Sequence, residues 1–369
     1  MALVVLAVDP QRVRRGHLKV VECSAVERDM DVGTWSVTVL DNDLSRRVGE
    51  GWRVLIVDGD TRISGPVLSY GGEHGANTFT FSGEDELHYP ASRIIYPSPS
   101  RSAEQQTEDA YYKRTGLSGD LVRAMVRESL GDLALSSRQV PGAAIGSATG
   151  LGVQASTNLR YKNLLEEARA LARAGGFTFS AVQEQDARIV TRFRAVRDLS
   201  RRVRFTDRNG GLSGGSWSVT APTVTSVLVA GQGQGADRTI KEHTADSGDW
   251  GLRIEQFQDR RDTDDAGELE AAGVDTLAEG AAGASATVET TEPAGLRYGT
   301  DFLLGDTVTV DFGRAQIAEP VRAVELSWDG QGRTATLTLG DHETDDDQDP
   351  AWVKHVRDLG KRLRGLETI

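Results

Sequence analysis

Over its first hundred residues the chain is cut into short runs of alternating apolar and polar residues: His17–Val21, Trp35–Leu40, Arg53–Val57, Arg62–Ser69 and Thr78–Phe81. Turn signals such as Asp58-Gly59-Asp60 and Gly71-Gly72 separate them. A period of two sends successive side chains to opposite faces of a sheet, and in Trp35-Ser36-Val37-Thr38-Val39-Leu40 it gathers Trp35, Val37 and Val39 on one face. Many short strands joined by close turns restrict this region to a small barrel or sandwich.

The pattern breaks at Tyr96-Pro97-Ser98-Pro99-Ser100-Arg101, which reads as a boundary. Helical spacing follows. Leu121, Val122, Met125, Val126 and Leu130 share a face behind Ser118 as the expected N-cap. A second helix is expected from about Tyr161 to Ala174, with Leu164, Leu165, Ala168, Leu171 and Ala172 inward and Gly175-Gly176 as its stop. Phe177–Val182 and Arg188–Val196 then read as a hairpin.

Strands return at Val203–Phe205, Ser216–Thr220 and Thr223–Ala230. A polar segment of about thirty residues leads to an expected helix, Asp264–Leu277. Ala286–Glu289, Asp306–Phe312 and Val321–Trp328 read as further strands. The last of these pairs with Thr334–Leu339 across Asp329-Gly330-Gln331-Gly332. The expected class is α+β, mainly β. It has a barrel-like unit over residues 1–100, a mixed unit over 101–200 and a second barrel-like unit with an inserted helix over 201–344. An acidic linker and amphipathic helix follow over 345–369. A length of 369 residues suits two or three such domains.

The acidic run Asp345–Asp349 precedes that last helix, with Asp349 as cap and Pro350 in the first turn. Trp352, Val356, Leu359, Leu363 and Leu366 recur at spacings of 4, 3, 4 and 3 along a heptad seam, and Lys354, Arg357, Lys361, Arg362 and Arg364 lie mostly off it. Two heptads are fewer than a self-standing coiled coil needs, and Gly360 and Gly365 each weaken the helix by about 1 kcal/mol relative to Ala. An isolated helix of this length is marginal in water. These five residues are therefore the candidate oligomerisation or partner-docking site, on a neighbour or on the chain's own domain.

Chemistry is harder to find. Forty-two Lys and Arg against 55 Asp and Glu leave a formal charge of −13, which repels phosphate and argues against binding nucleic acid or an anionic membrane surface. The apolar opening Ala2–Val8 is too short to anchor in a bilayer and reads as a strand. A single cysteine, Cys23, excludes an internal disulfide framework and any multi-cysteine metal site. It is expected to be a small buried residue. The six histidines never fall at i, i+3 or i, i+4, so no metal site is expected.

Three motifs fail on context. Gly211-Leu212-Ser213-Gly214-Gly215 has the letters of a nucleophile elbow, but a strand follows where a helix is required. Gly231-Gln232-Gly233-Gln234-Gly235 follows an apolar strand but opens no helix and spaces its third glycine one residue early for a dinucleotide site. Asp262-Thr263-Asp264-Asp265-Ala266-Gly267 places Ala266 where a calcium loop needs an oxygen ligand. No catalytic residue, cofactor or metal ligand is expected.

Four stretches carry a family resemblance. They are Trp35–Leu40 with Gly51–Val57 and Arg62–Val67; Val227-Leu-Val-Ala-Gly-Gln-Gly-Gln-Gly235 with Arg238; Gly299-Thr-Asp-Phe-Leu-Leu-Gly-Asp-Thr-Val-Thr-Val310; and the terminal hairpin with its short helix. Over residues 4 to 365 the chain resembles the tail-tip or baseplate hub proteins of tailed phages, in particular the hub-like family of actinobacterial siphophages. The resemblance implies two β-barrel domains flanking a mixed one, in a homotrimer around a channel for DNA and the tape-measure protein. It implies a place in the virion tail tip, between a distal tail ring and a tip, spike or receptor-binding protein, and no membrane anchor. Longer relatives continue into a lysin domain; this chain ends at Ile369, so no enzymatic role is expected. The alternatives are a hexameric tail adaptor or distal ring protein, and a cell-wall hydrolase or carbohydrate-binding tail protein. Aromatics at 6% and without clustering count against sugar binding.

Overall fold

The computed structural model describes residues 3–340, except 185, 186, 262, 291 and 331. The acidic run 345–349 and the seam residues Trp352, Val356, Leu359, Leu363 and Leu366 lie outside the described residues. The chain gathers into two units. The first holds everything up to Gly215 together with Thr287–Leu339; the second is Ser216–Ala286 with Gly340.

The first unit opens with β1 (Val4–Val8), β2 (Arg14–His17), β3 (Val20–Arg28), β4 (Asp31–Leu40), β5 (Arg53–Asp58), β6 (Thr61–Gly71) and β7 (Thr78–Glu84). All their pairings are antiparallel, in the order β2-β1-β5-β6-β7-β4-β3. Trp35, Val37 and Val39 are fully buried, as the alternation requires. The expected run His17–Val21 is instead divided between β2 and β3. Leu18 turns inward between them, and its N–H donates to the Val5 carbonyl at 2.8 Å. The Trp35 indole lies against Gly83, opposite it on β7, and donates from Nε1 to the Glu84 carbonyl at 3.0 Å. A Cβ on Gly83 would stand 2.0 Å from the Pro66 carbonyl oxygen and 2.5 Å from the indole ring.

The mixed part of this unit comprises α1 (His88–Ala91), β8 (Tyr112–Leu117), α2 (Ser118–Ser129), β9 (Ala143–Ile145), β10 (Gln154–Leu159), α3 (Leu164–Ala174), β11 (Phe177–Gln183) and β12 (Ile189–Ala195). The apolar stripe of α2 is buried against Leu164, Leu165, Phe177 and Phe179. Ser118 does not cap: Leu117 holds that position, and the Ser118 hydroxyl accepts from Val153 N–H at 3.3 Å. Helix α3 begins three residues later than the periodicity implies, because Asn163 caps it, its Oδ1 accepting from Leu165 and Glu166 N–H at 2.9 and 3.2 Å. Gly176, at φ 66°, leads the chain out into β11. The hairpin β11–β12 is as expected, and β12 also pairs in parallel with β9.

After β13 (Arg204–Thr206), β14 (Gly214–Thr220) leads into the second unit, which holds β15 (Ser226–Ala230), β16 (Ile240–Thr244), β17 (Glu255–Asp259) and α4 (Ala266–Glu279), with β18 (Gly283–Thr290) leading out. Strand β15 is central, antiparallel to β16 and parallel to β17. Val227 and Val229 are buried beneath Leu269 and Ala272 of α4. Asp265 caps α4, accepting from Gly267 and Glu268 N–H at 2.8 and 3.0 Å.

Strands β19 (Thr307–Asp311), β20 (Gln316–Asp329) and β21 (Gly332–Leu339) belong to the first unit. The expected β20–β21 hairpin is present, with Val324 facing Leu337 and Trp328 facing Arg333. On its other side β20 pairs with β3, Leu326 opposite Ala25 and Trp328 opposite Cys23. Residues near both ends of the described chain therefore form one sheet, and the class is mainly β as expected.

Candidate functional site

Strand β5 is apolar inside and charged at its ends, Arg53-Val-Leu-Ile-Val-Asp58, and both charged residues are buried. A buried charge without a partner would cost several kcal/mol. Asp58 Oδ2 accepts from Trp328 Nε1 at 3.0 Å, Arg333 Nη1 at 2.9 Å and Arg297 Nη2 at 3.0 Å. Burial pushes this carboxyl up, but the Trp328 and Arg333 donors and the Arg297 charge outweigh it and hold the group below its usual range. Arg333 continues the network, donating from Nη2 to Glu292 Oε1 and the Tyr298 carbonyl, both at 3.0 Å.

At the other end of β5, Arg53 donates from Nε to Gln183 Oε1 at 2.9 Å and from Nη1 to the Tyr89 hydroxyl at 2.8 Å, and it pairs with buried Glu86. The Ser64 hydroxyl donates to Glu86 at 2.6 Å and accepts from Gln183 N–H at 2.7 Å. Buried Asp29 accepts from the Thr178 hydroxyl at 2.7 Å and Arg322 Nη1 at 2.8 Å. Buried Asp306 binds Arg194 Nη1 at 2.7 Å, the Arg197 guanidinium, and Leu303 N–H at 2.9 Å. Each knot ties segments more than a hundred residues apart.

Between these knots lies a cleft of about 600 Å³ in the first unit, walled by Glu27, Asp29, Ser64, Asp85, Thr178, Arg194 and Tyr298 among others. Burial pushes the Glu27 carboxyl up to about 7, against the opposing Tyr298 hydroxyl and Arg333 charge. Asp85 is also raised by burial, with the Glu27 and Glu86 charges adding, although it accepts from Leu87 N–H at 2.9 Å. Raised carboxyls occur in acid–base sites and in buried structural networks alike. No group of three His, Cys, Asp or Glu poised for a metal ion occurs among the described residues.

The motifs set aside on sequence grounds have structural settings. Ser213 donates from both N–H and hydroxyl to the Glu289 carbonyl at 2.9 Å, and β14 follows it. The loop Gly231–Gly235 is held by its own arginine: Arg238 donates to the Gly231 and Ala230 carbonyls at 2.8 Å and pairs with Asp259. Cys23 is fully buried in β3, and burial pushes its thiol up to about 12.

The carboxylates of the knots and the cleft escaped sequence reasoning. The one signal was in β5: Arg53–Val57, expected to alternate, is instead a continuous apolar run closed by charged residues and buried along nearly its whole length. A strand buried on both faces takes its end charges inside with it.

The family model described as Siphovirus ReqiPepy6 Gp37-like protein matches residues 6–341. No curated protein matches the chain. Among solved structures, the tail protein from Neisseria meningitidis MC58 superposes with a TM-score of 0.57 at 11% identity, over 92% of this chain and 97% of that one. The 43 kDa tail protein of prophage MuSo2 from Shewanella oneidensis gives 0.57 at 12%, over 91% and 97%. Prophage tail protein gp18 from Listeria monocytogenes EGD-e gives 0.56 at 9%, over 97% and 98%. At these identities the likeness is one of fold.

Proposed function

We propose that this chain, which belongs to the Siphovirus ReqiPepy6 Gp37-like family, is a structural hub of a phage or phage-like tail tip. The observation that carries the reading is the family match over residues 6–341 together with a fold shared along nearly the whole chain with three prophage or bacterial tail proteins. In this reading three copies form a ring that closes the tail tube and joins a distal tail ring to a tip, spike or receptor-binding protein. The regions 1–100 and 201–344 supply its barrel-like parts around the mixed region 101–200. The central channel passes DNA and the tape-measure protein. The chain is placed in the virion tail and given no catalytic role; the carboxylate knots serve as struts.

The net charge of −13 fits a channel that must let phosphate pass without holding it. A channel wall with net positive charge in the assembled ring would refute that part. The seam Trp352, Val356, Leu359, Leu363 and Leu366 is proposed as the contact by which copies or neighbouring tip proteins dock. The deciding measurement is native mass. A species near 119 kDa, three times the 39.8 kDa chain, supports the trimer. A hexamer overturns it in favour of an adaptor or distal ring.

A further inference from the structure

The sheet of the second unit has one face covered by α4 and one partly open face, on which Ser226 and Ala230 are buried and the flanking strands are exposed. On the α4 side stand Val227 and Val229, with His243 against Gly273, where a Cβ would meet its ring at 2.2 Å, and Gln258, which accepts from the Thr276 hydroxyl at 3.0 Å. The register therefore turns the alternate residues outward. Leu228 lies between Glu242 and Phe257, and Ala230 lies between Ile240 and Asp259. Phe257 and Ile240 are 56% and 55% exposed, and the Arg238 guanidinium sits 5.7 Å from the Phe257 ring centroid. Half-buried Leu228 with Phe257 and Ile240 thus forms an apolar strip on this face, flanked by Glu242, Glu255 and Asp259 and edged by the Arg238 guanidinium, which donates to the Ala230 carbonyl and pairs with Asp259.

Residues 216–286 contain thirteen acidic and five basic side chains, so a unit of this size holds most of the chain's net charge. Residues 350–366 have the opposite balance, five basic and one acidic, beside an apolar seam. As a helix the seam would run about 21 Å from Trp352 to Leu366. Three strands of five residues offer a face of about 17 Å by 10–14 Å. Charge, apolarity and dimension match.

We propose that this partly open sheet face receives residues 352–366 of a neighbouring copy, so that the sheet is sandwiched between α4 and the partner's C-terminal helix. The proposal rests on the reading of the chain as a ring-forming hub. Each copy then offers one arm and one face, a head-to-tail contact that repeats around a ring and leaves no arm or face unfilled.

The test is co-expression of two differently tagged full-length chains, one Ile240→Cys and the other Leu359→Cys. Native Cys23 is buried and does not compete. A disulfide-linked species containing both tags, absent when either partner keeps its native residue, is the expected result. Loss of that species while the native protein remains oligomeric overturns the docking and leaves the hub reading standing. A monomeric native mass overturns both. A chain carrying both cysteines that closes only an internal disulfide places the helix on its own sheet and also overturns the exchange. Phe257→Lys in the Ile240→Cys chain should reduce the mixed species at least tenfold without altering its circular dichroism.

Discussion

Asp58 is the residue on which the first unit's C-terminal strands are hung. Trp328, Arg333 and Arg297 all donate to one oxygen of a buried carboxylate, so Asp58→Asn removes the charge that two guanidinium groups face. Breaking a buried pair from one side costs about 3–5 kcal/mol. The expected outcome is a lower urea midpoint or insoluble protein, and an unchanged midpoint would show that the knot is dispensable. Glu27 acts in the opposite direction. Its carboxyl is held near 7 in the fold against an ordinary value near 4.5, so the folded chain keeps a proton that the unfolded chain releases between those values. Stability contributed by Glu27 is full below about pH 4.5 and falls as pH rises towards 7, by about 3 kcal/mol. Asp58 and Asp306 are held below their usual range, so their contribution is present above about pH 4 and is lost as pH drops further. Thermal stability should accordingly peak on the acid side of neutrality. Glu27→Gln should flatten the decline between pH 5 and 7; a melting series with the native slope would rule out Glu27 as its source.

At the level of elements, the helical stripes and the two hairpins were legible, and the caps and the remaining strand pairings were not. The inward residues of α2 and α3 follow from spacing alone, yet their first turns were misplaced. Ser118 and Asn163 are both good capping residues, and only the chain's path decides which side chain meets a free N–H. Asn163→Ala should cost about 1 kcal/mol through the lost cap, and somewhat more because Asn163 Nδ2 also donates to the Ala91 carbonyl at 2.7 Å. Chemical denaturation measures it, and a change within 0.3 kcal/mol would deny the cap its role. Strands β16 and β17, Ile-Lys-Glu-His-Thr and Glu-Gln-Phe-Gln-Asp, lie inside the polar segment that reads as loop. They carry too few apolar residues to announce themselves and are strands because β15 supplies hydrogen bonds on both sides.

For the whole molecule, the C-terminal seam is the part of the reading that assembly tests most directly. Leu359→Asp with Leu363→Asp should weaken oligomer formation while each unit keeps its circular dichroism and melting behaviour; native mass indistinguishable from the unsubstituted chain would remove the seam from the interface. The mainly β class, the two helices between residues 101 and 200, the terminal hairpin and the siphophage family were all legible in the amino-acid order, because periodicity, turn residues and short motifs are local properties of a chain. Joining β20 to β3, Ala25 to Leu326 across 301 positions, is not local. Neither are the acidic knots, each of which joins segments more than a hundred residues apart. A strand's alternation states which face it buries but not which strand it lies beside, and a lone Asp in an acidic sequence looks like any other. Only the folded chain brings Asp58 to Arg333 and sets Glu27 half-buried in the wall of a cleft, and it is that surrounding that separates these carboxylates from the other acidic residues.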